Sequence, residues 1–377
     1  MSISLGARMR DFLKAEAVLV IAAVAAIASM MVYPLTASTV GVYASYIDLR
    51  TLGLLFCLMT VVAGLGRAGL LDRIRDWLMS RVGSARGLAF ILVNVVFASS
   101  MLVTNDVALI TFVPLALALF MHASPRATIA TVVALTVAAN LGSMCTPIGN
   151  PQNIYLVSAF NMGLDDFFAT VLPIGALSYL CCIALVALVP AEHLDKPMQN
   201  EASTIASGRL FLYLALFALC LACVGRMVSW ELCCVAVALS CICFDRRVFA
   251  QVDYSLLATF LCFFVFVGNL KQVDAISTFV ATAMAGREVL ASALASQVIS
   301  NVPAAIMLSG FTDNVRALLI GTNIGGLGTP IASLASLISL RIYARVPRAE
   351  TGRYLLWFSL VNALLLVLML AIAVPST

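Results

Sequence analysis

Long apolar runs alternate with short polar punctuation along the chain, and their lengths predict membrane-crossing helices at 15–33, 49–66, 128–160, 167–190, 210–225, 229–244, 254–270, 315–343 and 352–374, since a helix needs about 20 apolar residues to span the hydrocarbon core. Polar stretches interrupt two of them, 128–160 and 315–343. Two further pairs of apolar arms, 87–103 with 107–121 and 289–299 with 303–311, are shorter than a span and fold about polar tips. They predict re-entrant hairpins. Between the second span and the first hairpin, Leu71, Ile74, Leu78 and Val82 share one helical face and Asp72, Arg73, Arg75, Asp76 and Arg81 the other, the pattern of a helix lying in the membrane interface. Ile276, Phe279, Val280 and Met284 repeat that pattern more faintly.

The two broken spans carry the same motif. Asn140, Gly142, Thr146, Pro147 and Ile148 recur in spacing as Asn323, Gly325, Thr329, Pro330 and Ile331. Outward from there, Asp48, Leu52, Cys57 and Val62 recur in register as Asp253, Leu257, Cys262 and Val267. Each half reads as span, span, hairpin, broken span, span, and the leftover helix near 210–225 turns the second half upside down. The expected fold is therefore an all-α polytopic membrane protein with an inverted-topology repeat, two re-entrant hairpins and two broken transmembrane helices. The first repeat covers 1–190, with hairpin 87–121 and broken helix 128–160. Residues 191–228 form a linker with one extra span, and 229–377 the second repeat, with hairpin 287–311 and broken helix 315–343.

Composition agrees: 63% of the 377 residues are hydrophobic and 11% charged, against roughly 25% charged in ordinary soluble domains. The net charge of +4 comes from basic residues scattered through short loops, which offers no patch for nucleic acid. With the N-terminus inside, only Arg50, Arg226, Lys271, Arg287 and Arg316 fall on the outer side, so positive loop charge predicts a cytoplasmic N-terminus and an outer C-terminus. The eleven cysteines lie mostly in apolar runs, where they read as small hydrophobes. His122 and His193 fall in loops. Gly64, Gly66 and Gly69 spell G-x-G-x-x-G, but no strand precedes them, so dinucleotide binding fails on context. No Walker lysine, zinc spacing or hydrolase elbow is present, which argues against an enzyme.

Candidate chemistry sits at the tips and breaks. The first tip is Thr104, Asn105 and Asp106; the second is Ser300, Asn301, Val302 and Pro303. Hydroxyl and asparagine side chains cap returning helices well, and proline suits the first turn. Where one arm ends and another begins, freed carbonyls with Asn and Thr oxygens suit a dehydrated Na+, and amide-bearing N-termini suit an anion. No arginine is near these stretches in sequence, so an anion would rest on backbone dipoles, Asn, Ser and Thr. Asp106 is the one carboxylate expected deep in the membrane, a functional position by default. It suits either neutralising Na+ or carrying a proton. Cys145, inside the first break, reads as packing.

These residues, with Asn140 through Asn153 and its T-P-I-G-N-P-Q-N core and Asn323 through Ser336 with G-T-P-I-A-S, resemble the ion transporter superfamily over about 48–374. That grouping holds divalent-anion/sodium symporters, arsenical pump membrane proteins and a sodium/proton antiporter branch. The resemblance implies a secondary transporter, usually a homodimer, in which hairpins and broken helices move as a unit against a scaffold. It implies one cation site at Thr104, Asn105, Asp106, Asn140, Gly142 and Thr146, and another at Ser300, Asn301, Asn323 and Gly325. Substrate would lie between the tips, near Asn105, Thr146, Pro147, Gly149, Asn150, Asn153, Asn301, Val302, Thr329 and Pro330. The symporters have Ser-Asn-Thr tips, from which Asp106 and Val302 depart. The function expected is transport of a small anion, a dicarboxylate or inorganic oxyanion, coupled to Na+ or H+ across a bacterial-type inner membrane by an elevator-type motion. No cofactor beyond the coupling ion is expected. Arsenite export, Na+/H+ exchange and a passive channel remain open as alternatives.

Overall fold

Serine, aspartate and asparagine residues punctuate the apolar runs and set where helices begin. Ser84, Ser124, Ser229, Asp48, Asp253 and Asn314 each accept a hydrogen bond from the backbone N–H three residues on, which satisfies one of the orphan donors of a helix start. The computed structural model describes residues 16–36, 38–69, 83–121, 123–194, 207–347 and 349–376. The expected interfacial helix at 71–82, His122 and most of the loop joining the halves lie outside these residues. In the first half the helices are α1 (Ala17–Ser29), α2 (Val40–Tyr46), α3 (Leu49–Arg67), α4 (Ala85–Val103), α5 (Asn105–Leu119), α6 (Pro125–Ser143), α7 (Pro151–Ala159) and α8 (Leu164–Val186). In the second they are α9 (Ser207–Val224), α10 (Trp230–Phe244), α11 (Tyr254–Lys271), α12 (Asp274–Met284), α13 (Glu288–Ile299), α14 (Asn301–Leu308), α15 (Val315–Ile324), α16 (Leu334–Ala344) and α17 (Thr351–Ala373). A 3-10 turn, Arg246–Gln251, joins α10 to α11, and no strand occurs among the described residues.

Six of these helices, α3, α4, α6, α8, α11 and α17, are long and apolar enough to cross a membrane. On α17, Leu356, Leu360, Leu364 and Val367 stand exposed at helical spacing, an apolar stripe that only lipid or another apolar surface would cover. The chain is a multi-pass, all-α membrane protein. The sequence reading differs in two places. Ser84 caps the first hairpin arm, so α4 starts earlier than expected and, at 19 residues, is long enough to cross a membrane, against the expectation that this arm is shorter than a span. The seven-residue α2 escapes a search for runs of membrane length.

The halves share their backbone in detail. Asp48 and Asp253 cap α3 and α11 with nearly the same torsions, φ −81°, ψ 89° and φ −80°, ψ 85°. The helices that end the two repeats, α8 and α17, are both 23 residues long. Buried apolar side chains form two clusters. One draws mainly on α4, α5, α6, α8 and α17, the other on α3, α7, α9, α10, α11 and α14. The first broken helix gives α6 to one cluster and α7 to the other, so its interruption falls in the seam between them; in the second, α15 contributes to both clusters and α16 to the first alone. In the second cluster the Arg67 guanidinium grips Asp245 through both carboxylate oxygens, at 3.0 and 3.1 Å, and Tyr213 Oη donates to Asp245 at 3.1 Å. This ties the ends of α3 and α10 to α9.

Candidate functional site

At each tip the chain reverses within one residue. Thr104 has φ 74°, ψ 154° and Ser300 φ 73°, ψ 154°, a positive-φ conformation uncommon for side-chain-bearing residues and concentrated at functional turns. The expected hydroxyl caps are absent. Neither Thr104 nor Ser300 caps through its side chain. Instead Asn105 Oδ1 accepts from the N–H of Asp106 at 2.9 Å, and Asn301 Oδ1 from the N–H of Val302 at 3.0 Å. The asparagine carries the local role, and the Ser300 hydroxyl turns to Asn301 Oδ1 and the Ala332 carbonyl, each at 3.4 Å.

The breaks are strapped to the hairpins in matching ways. Thr146 Oγ1 donates to the carbonyl of Met101, at 2.5 Å, and Thr329 Oγ1 to the carbonyl of Gln297, at 3.0 Å. Met101 and Gln297 each lie three residues before their tip. Gly142 makes close approach possible: a Cβ there would sit 2.4 Å from the Phe97 carbonyl oxygen and 2.6 Å from Ser100 Oγ. At Gly325 it would sit 2.7 Å from Ser296 Oγ, and Ser100 and Ser296 are themselves mirror positions.

The two breaks meet through side chains. Asn140 Oδ1 accepts from Asn105 Nδ2 at 3.2 Å and from Ser333 Oγ at 2.9 Å, while its Nδ2 donates to Ser336 Oγ at 3.0 Å. Asn323 answers from the other half: its Nδ2 donates to Asn153 Oδ1 at 2.7 Å, and its Oδ1 faces Asn150 Nδ2 at 3.5 Å. Ser333 and Ser336 stand as far beyond Asn323 as Asn150 and Asn153 stand beyond Asn140, so the crossed contacts obey the repeat. All of these residues are buried. Gln152 joins them, with Nε2 3.5 Å from Asn323 Oδ1, no solvent exposure and no partner for its Oε1. An acceptor buried without a donor calls for a water or a cation.

Two cavities reach the first tip. One of about 210 Å³ brings Asp106 of the first tip together with Val302 and Pro303 of the second, and Glu16, Asp253 and Arg341 add their charges to its wall. The other, of about 220 Å³, is lined by Thr104, Asp106, Pro151 and Asp253. Asp106 and Asp253 belong to both. The remaining expected residues are placed as braces and bridges: Asn105, Asn140, Asn150, Asn153 and Asn323 in the crossed network, Gly142 and Gly325 at the close approaches, Thr146 and Thr329 on the straps. Pro147 and Gly149 are buried in the first break, and Thr329 lies at the surface of the second. Asn301 donates its N–H to the Ala332 carbonyl at 2.9 Å.

Sequence reading missed Arg341, Ser333, Ser336, Gln152 and Gln297. The expectation that no arginine lies near the site is corrected by Arg341, which reaches the tip cavity from the far end of α16. Extending the repeat past the motif would have found the two serines. Cys145 packs as expected, its sulfur lying where a Cβ on Gly175 would fall, 2.7 Å away. Cys57 and Cys234 approach to 3.5 Å, but no group of three or more His, Cys, Asp or Glu side chains among the described residues is arranged to hold a metal ion.

Comparison with known proteins gives a consistent picture. The profile of the citrate transporter family, CitMHS, matches residues 12–315. An uncharacterized transporter of Methanocaldococcus jannaschii is 30% identical over 332 residues, 87% of this chain and 90% of that protein. The inner membrane protein YbiR of Escherichia coli is 30% identical over 338 residues, 86% of this chain and 89% of that protein. A silicon efflux transporter of Oryza sativa is 38% identical over 133 residues, 35% of this chain and 27% of that protein.

Proposed function

The chain belongs to the citrate transporter family, and from that premise we propose that it is a secondary active transporter moving a small oxygen-rich anion, a carboxylate or an inorganic oxyanion, coupled to Na+ across a bacterial-type inner membrane. The observation that carries this reading is the crossed network of Asn140 with Ser333 and Ser336 and of Asn323 with Asn150 and Asn153. It joins two oppositely related helix interruptions where bare main-chain groups meet, the arrangement that lets irregular backbone bind solute inside a membrane.

Each partner has a place. The N-termini of α5 and α14 bring their positive dipole ends to the tip cavity, which favours an anion there, and Arg341 adds a full charge to the wall. Asp106 opposes it. Two unit charges about 6 Å apart at an effective dielectric of about 20 repel by about 3 kcal/mol, roughly a hundredfold in affinity. A cation held by Asp106 and the Asn105 and Asn140 oxygens removes that penalty, so anion affinity depends on the cation and the two move together. The hairpins and broken helices would travel as one body against the remaining helices, in an elevator-type motion, with a second copy of the chain as the expected partner. A proton is the second candidate for the driving ion, because Asp106 and Asp253 line one cavity and neighbouring carboxylates readily share a proton.

Liposomes containing purified protein test this. Labelled citrate, succinate and phosphate are offered under an imposed Na+ gradient, a pH gradient or neither, with choline as the control cation. Accumulation under Na+ alone supports the proposal, and under pH alone assigns the proton. Asp106→Asn is expected to keep downhill flux and lose gradient-driven accumulation. Flux indifferent to both gradients refutes coupling and indicates a channel.

A further inference from the structure

Break two differs from break one in a way the repeat does not predict. Gln297 sits on α13 three residues before the second tip, and its side-chain amide reaches into the break. Nε2 lies 2.8 Å from the Gly325 carbonyl oxygen, 2.9 Å from that of Leu327 and 3.1 Å from that of Ala293. On the other side Oε1 accepts from the Thr329 N–H at 2.9 Å. Gly325 and Leu327 are residues whose carbonyls are released when α15 stops, so the amide nitrogen fills a nest of carbonyl oxygens of the kind that would replace water around Na+. A primary amide carries two protons and no net charge, and it satisfies those oxygens without an ion.

The first half has no such plug. The position equivalent to Gln297 is Met101, whose thioether has no proton to donate, although its backbone carbonyl takes the same threonine strap. The plug also needs room. Gly328 has φ +99°, and a Cβ there would fall 2.2 Å from Gln297 Oε1, so glycine alone admits the amide; the equivalent first-half residue is Cys145. The two changes belong together, since an amide at 297 requires the missing side chain at 328. The carboxylate follows the same division, with Asp106 in the first tip and Val302 at its mirror position.

We propose that the Gln297 amide is a built-in occupant of the second half's cation site, so that this transporter binds one coupling cation, in the first half, where the Met101 side chain has no proton to offer the equivalent carbonyls. This rests on the sodium-coupled reading above. The test is equilibrium binding of radiolabelled Na+ to the purified full-length protein at saturating concentration, with monodispersity as the check on folding. One Na+ per chain is expected for the wild type, none for the double variant Met101→Gln/Cys145→Gly, which supplies both the amide and the room it needs, and two for Gln297→Met. Two per wild-type chain, or undiminished binding in a monodisperse Met101→Gln/Cys145→Gly protein, overturns the single-site inference and leaves sodium coupling standing. No binding to the wild type overturns the sodium reading itself and this inference with it. Should Gln297→Met fail to fold, the wild-type stoichiometry and the double variant decide the matter alone.

Discussion

Replacing Asn140 by alanine tests whether the two halves are held together by their crossed side chains. The change deletes three hydrogen bonds, to Asn105 at 3.2 Å, Ser333 at 2.9 Å and Ser336 at 3.0 Å. Inside membrane proteins such bonds average about 0.6 kcal/mol each, which sets a floor near 2 kcal/mol for the three. The partners raise the cost, because Asn105, Ser333 and Ser336 stay buried at 3%, 1% and 0% exposure, and a polar group stranded in the interior costs about 1–3 kcal/mol. Water entering the vacated space recovers part of that. The expected loss is about 3 kcal/mol, read as a shift in reversible unfolding in mixed detergent micelles. Asn362→Ala is the control: Asn362 is equally buried, but its amide bonds only to its own helix, at the Phe358 carbonyl, so about 1 kcal/mol is expected there. A double-mutant cycle of Asn140→Ala with Ser336→Ala should return about 1 kcal/mol of coupling. Asn140→Ala within about 0.5 kcal/mol of wild type, or no coupling in the cycle, would refute the claim that this network joins the halves.

Two further outcomes follow from the packing. Gly142→Ala must push α4 away from the first break, since its Cβ would meet backbone atoms of Phe97 at 2.4 and 2.9 Å; overpacking of this kind costs about 1–3 kcal/mol, and thermal stability and gradient-driven uptake should fall together, whereas Gly208→Ala, with nothing within 4 Å, should leave both intact. At Asp245, burial pushes the carboxyl up, but the Arg67 fork and the Tyr213 hydroxyl outweigh it and hold the group below the usual carboxylate range. A depressed folded value means stabilisation that is present above the unfolded value of about 3.9 and is lost as pH falls through the folded value. Arg67→Ala should therefore cost about 2 kcal/mol at pH 7, the buried-pair figure discounted for the partial exposure of the arginine, and its gap from wild type in a pH-resolved melting series should close below about pH 4; a gap that widens in acid would contradict the assignment.

Much of the frame is legible in the chain because membranes leave few options. Apolar runs of the right length must be helices, and prolines and glycines inside them must mark places where backbone is satisfied by something else. Hence the tips, the breaks and the asparagines at their centres can be read from spacing alone. The partners cannot. Asn140 bonds to serines 193 and 196 residues away, and the Gln297 amide finds carbonyls 28 and 30 residues on. A lone glutamine in an apolar arm is a visible signal that something must satisfy it, but its acceptors exist only once the second break has folded against the arm. Arg341 is missed for a related reason. It falls near the end of the expected broken span 315–343, far in sequence from the tips, and only the fold brings it to the wall of the tip cavity.

The mirror pairs that differ are more informative than those that match. Matching pairs, Asp48 with Asp253, Thr104 with Ser300 and Thr146 with Thr329, set backbone torsions and straps, and they give the two halves one geometry. Differing pairs set chemistry: Asp106 against Val302, Met101 against Gln297, and Gln152, with its unpartnered oxygen, against Ala335. In every case the first half offers charge, carbonyls without a side-chain donor or a spare acceptor, and the second offers a hydrocarbon or a filled nest. A frame with equal halves can exchange two mirror-related arrangements at little cost in backbone energy, whereas a ligand shifts such an equilibrium only through differential contacts with the two states. Concentrating those contacts in one half leaves the hinge geometry symmetric and makes the ligand chemistry one-sided. On this argument, Met101→Gln combined with Cys145→Gly should close the first-half cation site without altering the fold.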